Sequence, residues 1–404
     1  MLTRRGWMLL AASVGCTATG RALGVIELYA VAAGIVALVV GSAVFVHTAT
    51  FSLRATRELR PPRVHAGGFS RVELVLRNLG RRTAPVLTVL DPFDNGRRWA
   101  RFLVAPLAPG EQARAAYRLP TERRGIFPLG PLEVQRRDPL GIANVSVEAA
   151  PVTQLTVFPR IDEILPLPYT LGQDPLAGTD HPTALGAGDE FYALRAYEMG
   201  DDLRRVHWPS TAKLDELMIR QDEMPWQGRA TVVLDLRAGV HNAESLELAV
   251  SAAASIITAC WRKRALLRLV MTDGTDSGFA AGNKHLDAML ERLAVVGPDR
   301  AGNIRGVLAS LRRGGNGGSL VLVTTAGAAD ADLGGAAKLA ARYGHVTVVL
   351  FERSSYDRWA NAGAVATRAR SVPASGPIVR VTAEEPFARA WDRAMHSRAV
   401  GARH

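Results

Sequence analysis

The feature that most limits how this chain can fold is an apolar run near its start: residues 28–46 contain no charged side chain. A stretch of about 20 apolar residues matches the hydrocarbon thickness of a bilayer. A shorter apolar run, residues 7–20, precedes it, and Arg21 and Glu27 lie between the two. Residues 1–50 therefore read as a transmembrane helical hairpin with its tip near residues 21–27. Arg4 and Arg5 flank the entry, and Arg54, Arg57, Arg60 and Arg63 follow the exit. Basic flanks stay on the cytoplasmic side. The expectation is a two-span protein of the plasma (inner) membrane, with both termini and the soluble body in the cytoplasm. A cleaved signal peptide is the rival reading. Residues 13–16, Ser-Val-Gly-Cys, lack the Leu of a lipoprotein box, and the second run would anchor the chain even after cleavage. A third reading buries both runs as core helices.

Charge distribution narrows the partners. The chain carries a formal net charge of +11, and residues 51–137 hold 17 Arg, no Lys and 7 acidic residues. The basic excess directly follows the apolar run, where it would meet anionic lipid. Aromatic residues are not interleaved with it, which argues against a nucleic-acid groove. With 48% hydrophobic and 22% charged residues among 404, the remainder is ordinary globular protein with room for more than one domain. The two cysteines, Cys16 and Cys260, can form neither a disulfide framework nor a Cys-rich metal site.

From residue 51 to 160 short alternating segments, such as residues 71–77 and 113–119, are punctuated by Gly67-Gly68, Asn95-Gly96, Pro109-Gly110 and Gly130-Pro131. This spacing predicts a small β-sandwich-like domain. No cluster of catalytic residue types stands out in it, so a support role is expected. Residues 161–228 form a connecting segment. Residues 229–404 alternate apolar strand runs with helical patterns, beginning with residues 230–236 and an Ala-rich helix over 244–261. That alternation predicts a parallel sheet with helices on both faces, whose strand carboxyl ends are the place to look for ligand chemistry.

The first of these strands ends at Asp235, followed by Arg237 and Gly239. An Asp leaving a buried first strand resembles the von Willebrand factor type A domain, which uses Asp-x-Ser-x-Ser there to hold a divalent cation. Here the two Ser positions are Arg237 and Gly239, and neither supplies an oxygen side chain, although a hard cation needs several. Asp235 is thus the vestige of a metal position, no metal ligand is assigned, and the Arg237 guanidinium is expected to supply fixed positive charge. Residues 272–274, Thr-Asp-Gly, follow the second strand and read as a turn.

The densest polar stretch spans residues 186–208 and continues to Arg220. Gly200 and Asp201 read as a turn and helix cap, and Pro209 as the end or kink of a helix begun at Leu203. The pattern of Gly188, Glu190 and Phe191, then Arg195, Tyr197, Gly200 and Asp201, then Arg204, His207 and Trp208, with Arg220 beyond, resembles the signature of domain-of-unknown-function family 58. Residues 124–131 and 138–141 resemble it too. The resemblance implies a membrane-anchored chain with a type A-like C-terminal domain, a MoxR-type AAA+ ATPase as partner, and no established biochemical activity.

Read from the residues alone, Glu190 and Asp201 are expected to pair with Arg195, Arg204 or Arg220. Phe191, Tyr197 and Trp208 are expected to anchor the fold or a partner. No nucleophile with its base is evident, since Ser210 and Thr211 lie near His207 in sequence only. No P-loop, dinucleotide motif or HExxH motif occurs. The expectation is a scaffold or adaptor with no catalytic residues and no cofactor. Three alternatives stay open: a metal-dependent ligand-binding type A domain, a hydrolase centred on residues 186–208, and a nucleic-acid binder.

Overall fold

The computed structural model describes residues 2–48, 52–167, 191–197, 206–214, 216–222, 228–314, 317–328, 330–356 and 376–401. It divides into two compact units, residues 1–160 with 291–295, and residues 161–290 with 296–404.

The first unit opens with α1 (Arg4–Leu23) and α2 (Glu27–Thr48). Gly24, with φ +70°, turns the chain between them. The helices pack against each other where Ser13 and Gly20 of α1 are buried, Gly20 against Leu28 and Tyr29 of α2, while Gly6 is buried against Ile142. Small residues let the two backbones approach, and the Ser13 hydroxyl donates to the Ala32 carbonyl at 3.1 Å. Of the two, only α2 is apolar enough for its length to pass as a candidate span. A later helix of the second unit passes the same test, but 72% of its apolar window is buried, against 22% for α2. The hairpin is pinned to the rest of the unit, where Thr3 N–H donates to the Ile142 carbonyl at 2.8 Å and the Thr3 hydroxyl to Gly141 at 2.6 Å.

Ten strands follow: β1 (Leu53–Arg60), β2 (Arg63–His65), β3 (Ser70–Asn78), β4 (Leu87–Phe93), β5 (Arg98–Val104), β6 (Gln112–Leu119), β7 (Gly125–Leu129), β8 (Leu132–Arg137), β9 (Asn144–Ala150) and β10 (Thr153–Phe158). They form sheets ordered β1-β3-β6, β2-β10-β7 and β5-β4-β8-β9. Pairing is antiparallel apart from β10 with β2. Alternation puts Val72, Leu74 and Leu76 of β3 inward, where they share a core with Leu87 and Val89 of β4, Val134 of β8 and Leu155 and Val157 of β10.

Charge is also buried in this domain. Arg57 of β1 crosses the core to Asp91 of β4, Nη1 to Oδ1 at 2.6 Å, with both side chains almost wholly buried. Tyr117 of β6 donates its hydroxyl to the other Asp91 oxygen at 2.7 Å. A buried charge is tolerated only when paired and hydrogen-bonded, and this triad meets both conditions. Gly130, at φ +94°, lies so close that a Cβ there would stand 2.6 Å from the Arg57 Nη1. The cluster is not visible along the chain, because its three members are 34 and 26 residues apart and meet only across the sheets.

In the second unit β11 (Phe191–Ala196) pairs antiparallel with β12 (Met218–Asp222), and α3 (Trp208–Leu214) lies between them in sequence. Then come β13 (Arg229–Leu234), α4 (Ala243–Arg262), β14 (Leu266–Met271), α5 (Asn283–Val295), α6 (Ile304–Arg313), β15 (Ser319–Thr325), α7 (Asp330–Ala337), β16 (His345–Phe351), β17 (Ile378–Val381) and α8 (Phe387–Gly401). Five strands make one all-parallel sheet in the order β14-β13-β15-β16-β17, flanked by helices. Each central strand is buried on both faces, as its continuous apolar sequence predicts. The Asn242 side chain caps α4, accepting from the Ser245 N–H at 2.7 Å while the Ser245 hydroxyl accepts from the Asn242 N–H. The order runs outward from β13 to β14 and then returns to β15. The switch point, where such sheets bind ligands beyond the strand carboxyl ends, therefore lies between β13 and β15.

Candidate functional site

Asp235 is the first residue beyond β13, and its N–H continues the ladder by donating to the Val323 carbonyl at 3.0 Å. The side chain is completely buried. Arg237, two residues on, folds back over it, with Nε 2.9 Å from Oδ1 and Nη2 2.8 Å from Oδ2. The third guanidinium nitrogen, Nη1, donates to Oδ2 of Asp332 on α7 at 2.8 Å. Arg305, in the first turn of α6, donates Nε to the other Asp332 oxygen at 2.9 Å. Thr324 at the end of β15 completes the Asp235 shell, its hydroxyl 2.8 Å from Oδ2.

The result is a chain of alternating charge, Asp235–Arg237–Asp332–Arg305, laid across the sheet mouth. The planar guanidinium fills the space between two carboxylates in a geometry that suits bidentate pairing. Hydrogen bonding to Asp235 pushes the Arg237 pKa upward, so the cation is fixed at every accessible pH. Burial pulls the Asp332 carboxyl up, but hydrogen bonds from Arg305 and Arg237 outweigh it and hold the group below its ordinary value.

The frame around this chain is also polar. Thr272, directly after β14, accepts from the Leu236 N–H at 2.8 Å, so it does more than begin the turn read from the sequence. Gly302 allows the approach, since a Cβ there would meet Arg237 Cγ at 2.9 Å and Thr272 Oγ1 at 3.1 Å. His241 is buried behind Asp235, and burial lowers its pKa. Its Nδ1 lies 3.3 Å from the Ser245 hydroxyl, while Nε2 has no hydrogen-bond partner.

The signature motif is only partly in view. Gly188, Glu190, Gly200, Asp201 and Arg204 lie outside the described residues, and so do the ion pairs expected of Glu190 and Asp201. Phe191 and Arg195 sit on β11, and Arg220 on β12 pairs with Leu194. Tyr197 is partly buried and its N–H donates to the Leu217 carbonyl at 2.8 Å. Trp208 is 67% exposed.

Two expectations need correction. Pro209 stands in the first turn of α3 and does not end a helix. Proline is tolerated there because its missing N–H would have had no intrahelical acceptor. The Ser210 hydroxyl is 2.9 Å from His207 Nδ1, so the two are neighbours in space as well as in sequence. A contact between positions i and i+3 is what the start of a helix produces, and His207 also presents its carbonyl to the Ser210 and Thr211 N–H groups.

Asp332, Arg305, Thr324 and His241 do not stand out in the sequence, and Thr272 does so only as the start of a turn. The usable signal is positional: each follows or faces a strand carboxyl end. Among the described residues no group of three or more His, Cys, Asp and Glu side chains is gathered as a metal ion would require.

A family model described as "Protein of unknown function DUF58" matches residues 193–389. No curated protein matches the chain. Solved structures similar to part of it include the CARDB domain of a Pyrococcus furiosus protein, at 16% identity over 26% of this chain and 93% of that chain, TM-score 0.22. The putative ApaA protein from Bordetella pertussis matches at 16% identity over 27% of this chain and 94% of that one, TM-score 0.20. A b-glucosidase from Erythrobacter marinus matches at 16% identity over 26% and 15%, TM-score 0.18.

Proposed function

We propose, from the premise that residues 193–389 carry the pattern of the DUF58 family, that this chain is a membrane-anchored cytoplasmic scaffold which engages a partner protein at the mouth of its C-terminal sheet. The partner is a MoxR-type AAA+ ATPase, and the role is adaptor-like with no chemistry of its own. The carrying observation is the Arg237 guanidinium, hydrogen-bonded into both Asp235 and Asp332. If the domain is of the von Willebrand type A kind, this is the mouth at which that fold holds a divalent cation. The residues here do not fit one. Arg237 and Gly239 bring no oxygen side chain, and a cation would have to expel the guanidinium from a carboxylate that it already neutralises. A fixed, charge-compensated mouth suits recognition of a surface.

The anchoring part of the reading rests on α2, which is apolar, long and largely unburied. The reading of a two-span hairpin with cytoplasmic termini is supported by the packing of α1 against α2 and by Arg4 and Arg5 before the first helix and Arg54 after the second, basic flanks that an antiparallel hairpin puts on one side.

The test is capture of the full chain, solubilised in detergent, on an immobilised MoxR-type ATPase with and without ATP. Retention that weakens in Arg305→Glu supports the reading, and no retention in either nucleotide state sinks it. Calorimetry with Mg²⁺ separates the metal-binding alternative, which requires heat of binding that vanishes in Asp235→Ala.

A further inference from the structure

The β domain has an open side. In the sheet orders β5-β4-β8-β9 and β1-β3-β6, strands β5 and β6 are both edges. Their inward faces approach across the core without pairing to each other. Two cavities lie along this seam. One of about 540 Å³ is lined by Phe102 and Val104 of β5, Ala113 and Ala115 of β6, and Leu74 and Leu76 of β3 behind them. The other, about 320 Å³, reaches Arg98 at the start of β5 and Leu119 at the end of β6. Between them Tyr117 holds the middle of the seam, its ring 5.8 Å from Phe102 and its hydroxyl bound to Asp91.

Charge along the seam is one-sided. β5 and β6 carry Arg98, Arg101, Arg114 and Arg118, all on exposed positions, and neither strand contains an Asp or Glu. The acidic side chains at the cavities, Glu111 at the larger and Asp94 and Glu122 at the smaller, all lie outside the two strands, and Glu111 already accepts from the Ala108 N–H. Beside the arginines, Trp99 and Leu103 of β5 are 54% and 74% exposed. Arginines on edge strands can serve simply to stop edges from pairing with other chains. That purpose needs no apolar cavity behind the edge, and here the larger cavity is lined by Leu74, Leu76, Phe102, Val104 and Ala113.

We propose that the seam between β5 and β6 is a docking groove for an extended segment of a partner protein in which acidic residues alternate with apolar ones. A strand added to a sheet edge gains main-chain hydrogen bonds and gives specificity through alternate side chains. Alternate apolar side chains of the guest would enter the larger, apolar cavity, and the intervening carboxylates would meet the arginines along the seam. With strands of seven and eight residues, the groove suits a guest of similar length. The proposal is independent of the sheet-mouth reading, because none of its residues belongs to the C-terminal sheet.

The probe is a fluorescein-labelled ten-residue peptide with Glu and Val alternating, added to the full chain in nanodiscs of zwitterionic lipid and followed by anisotropy. Saturable binding is expected, weakened at least tenfold in Arg101→Glu/Arg114→Glu and in Ala113→Phe, which fills the larger cavity. The double variant should instead prefer the same peptide with Lys in place of Glu. A bimane label on Leu103→Cys covers the case in which a variant fails to fold, since its emission should shift when peptide is added. Equal affinity for a peptide of the same composition with acidic and apolar residues in separate blocks would overturn the proposal. So would displacement of the probe by an oligonucleotide or by phosphatidylglycerol vesicles as effectively as by unlabelled peptide. An unchanged bimane signal, or a groove closed by self-association in sedimentation, would overturn it as well.

Discussion

Arg237 joins two buried or nearly buried carboxylates, so its removal would strand both. Truncating one partner of a buried ion pair is far costlier than the net worth of the pair, because the remaining charge keeps its desolvation penalty. Arg237→Ala is expected to lower stability by about 3 kcal/mol, read as a shift in the denaturant midpoint at unchanged slope. A loss below about 0.5 kcal/mol would mean that Asp235 is wet in solution. The acid side tests the same chain of charges. Asp332 has its folded pKa held below the ordinary 3.8. Its stabilising contribution is therefore complete above that value and disappears as pH falls through the lower folded value. Melting temperature measured from pH 5 down to pH 2 should fall less steeply in Asp332→Asn than in the natural chain. A residual slope is expected from Asp276, whose carboxyl is held low by its hydrogen bond to Arg268. Parallel curves would show that the Asp332 pairs do not persist in solution.

At the scale of elements, α2 and α4 have similar length and are both apolar enough to count as candidate spans, α2 the more so, but their surroundings are opposite. Burial separates them: α4 lays Ala249, Val250, Ala253, Ile256 and Ile257 in the sheet's core, whereas Val31, Val36, Val40 and Val44 of α2 are exposed. In water such a helix would leave a large apolar patch uncovered, which is what the proposed anchoring in lipid would cover. Val36→Arg puts a charge in the centre of this run, at a cost of about 2.5–3.5 kcal/mol for insertion. The variant should pass in part from the carbonate-resistant membrane pellet to the supernatant, while Ala254→Arg in α4 should instead unfold or aggregate the soluble part. Full retention of Val36→Arg in the pellet would remove α2 as the anchor. The element α3 makes a smaller point. Pro209 reads as a terminator in sequence because local rules give proline two roles, and only the position of the first helical hydrogen bond decides which applies.

For the whole molecule, the proposed topology has a direct readout. With the hairpin spanning and basic flanks inside, protease added to intact spheroplasts should leave residues 51–404 uncut, and cut them once the membrane is opened. Digestion of intact spheroplasts would place the body outside and end the proposed ATPase partnership. The DUF58 signature is legible along the chain as a pattern, since Arg195, Tyr197, His207 and Trp208 fall at recognisable spacing. The sheet is legible from runs such as residues 230–236 and 320–324, whose mainly apolar sequence suits a strand buried on both faces.

By itself, the sequence determined the apolar hairpin, the alternation of strands and helices and the loss of oxygen donors after Asp235, because each depends on residues close together along the chain. Only the tertiary structure decided that Asp332 and Arg305 share one hydrogen-bonded chain with Asp235, that Arg57 crosses a sandwich core to Asp91 and Tyr117, and that β5 and β6 face each other unpaired. The hydrogen bonds of the two charged clusters that cross between elements join positions from 26 to 95 residues apart. No local preference encodes them: they arise where buried charge must find an opposite charge and where a sheet runs out of strands.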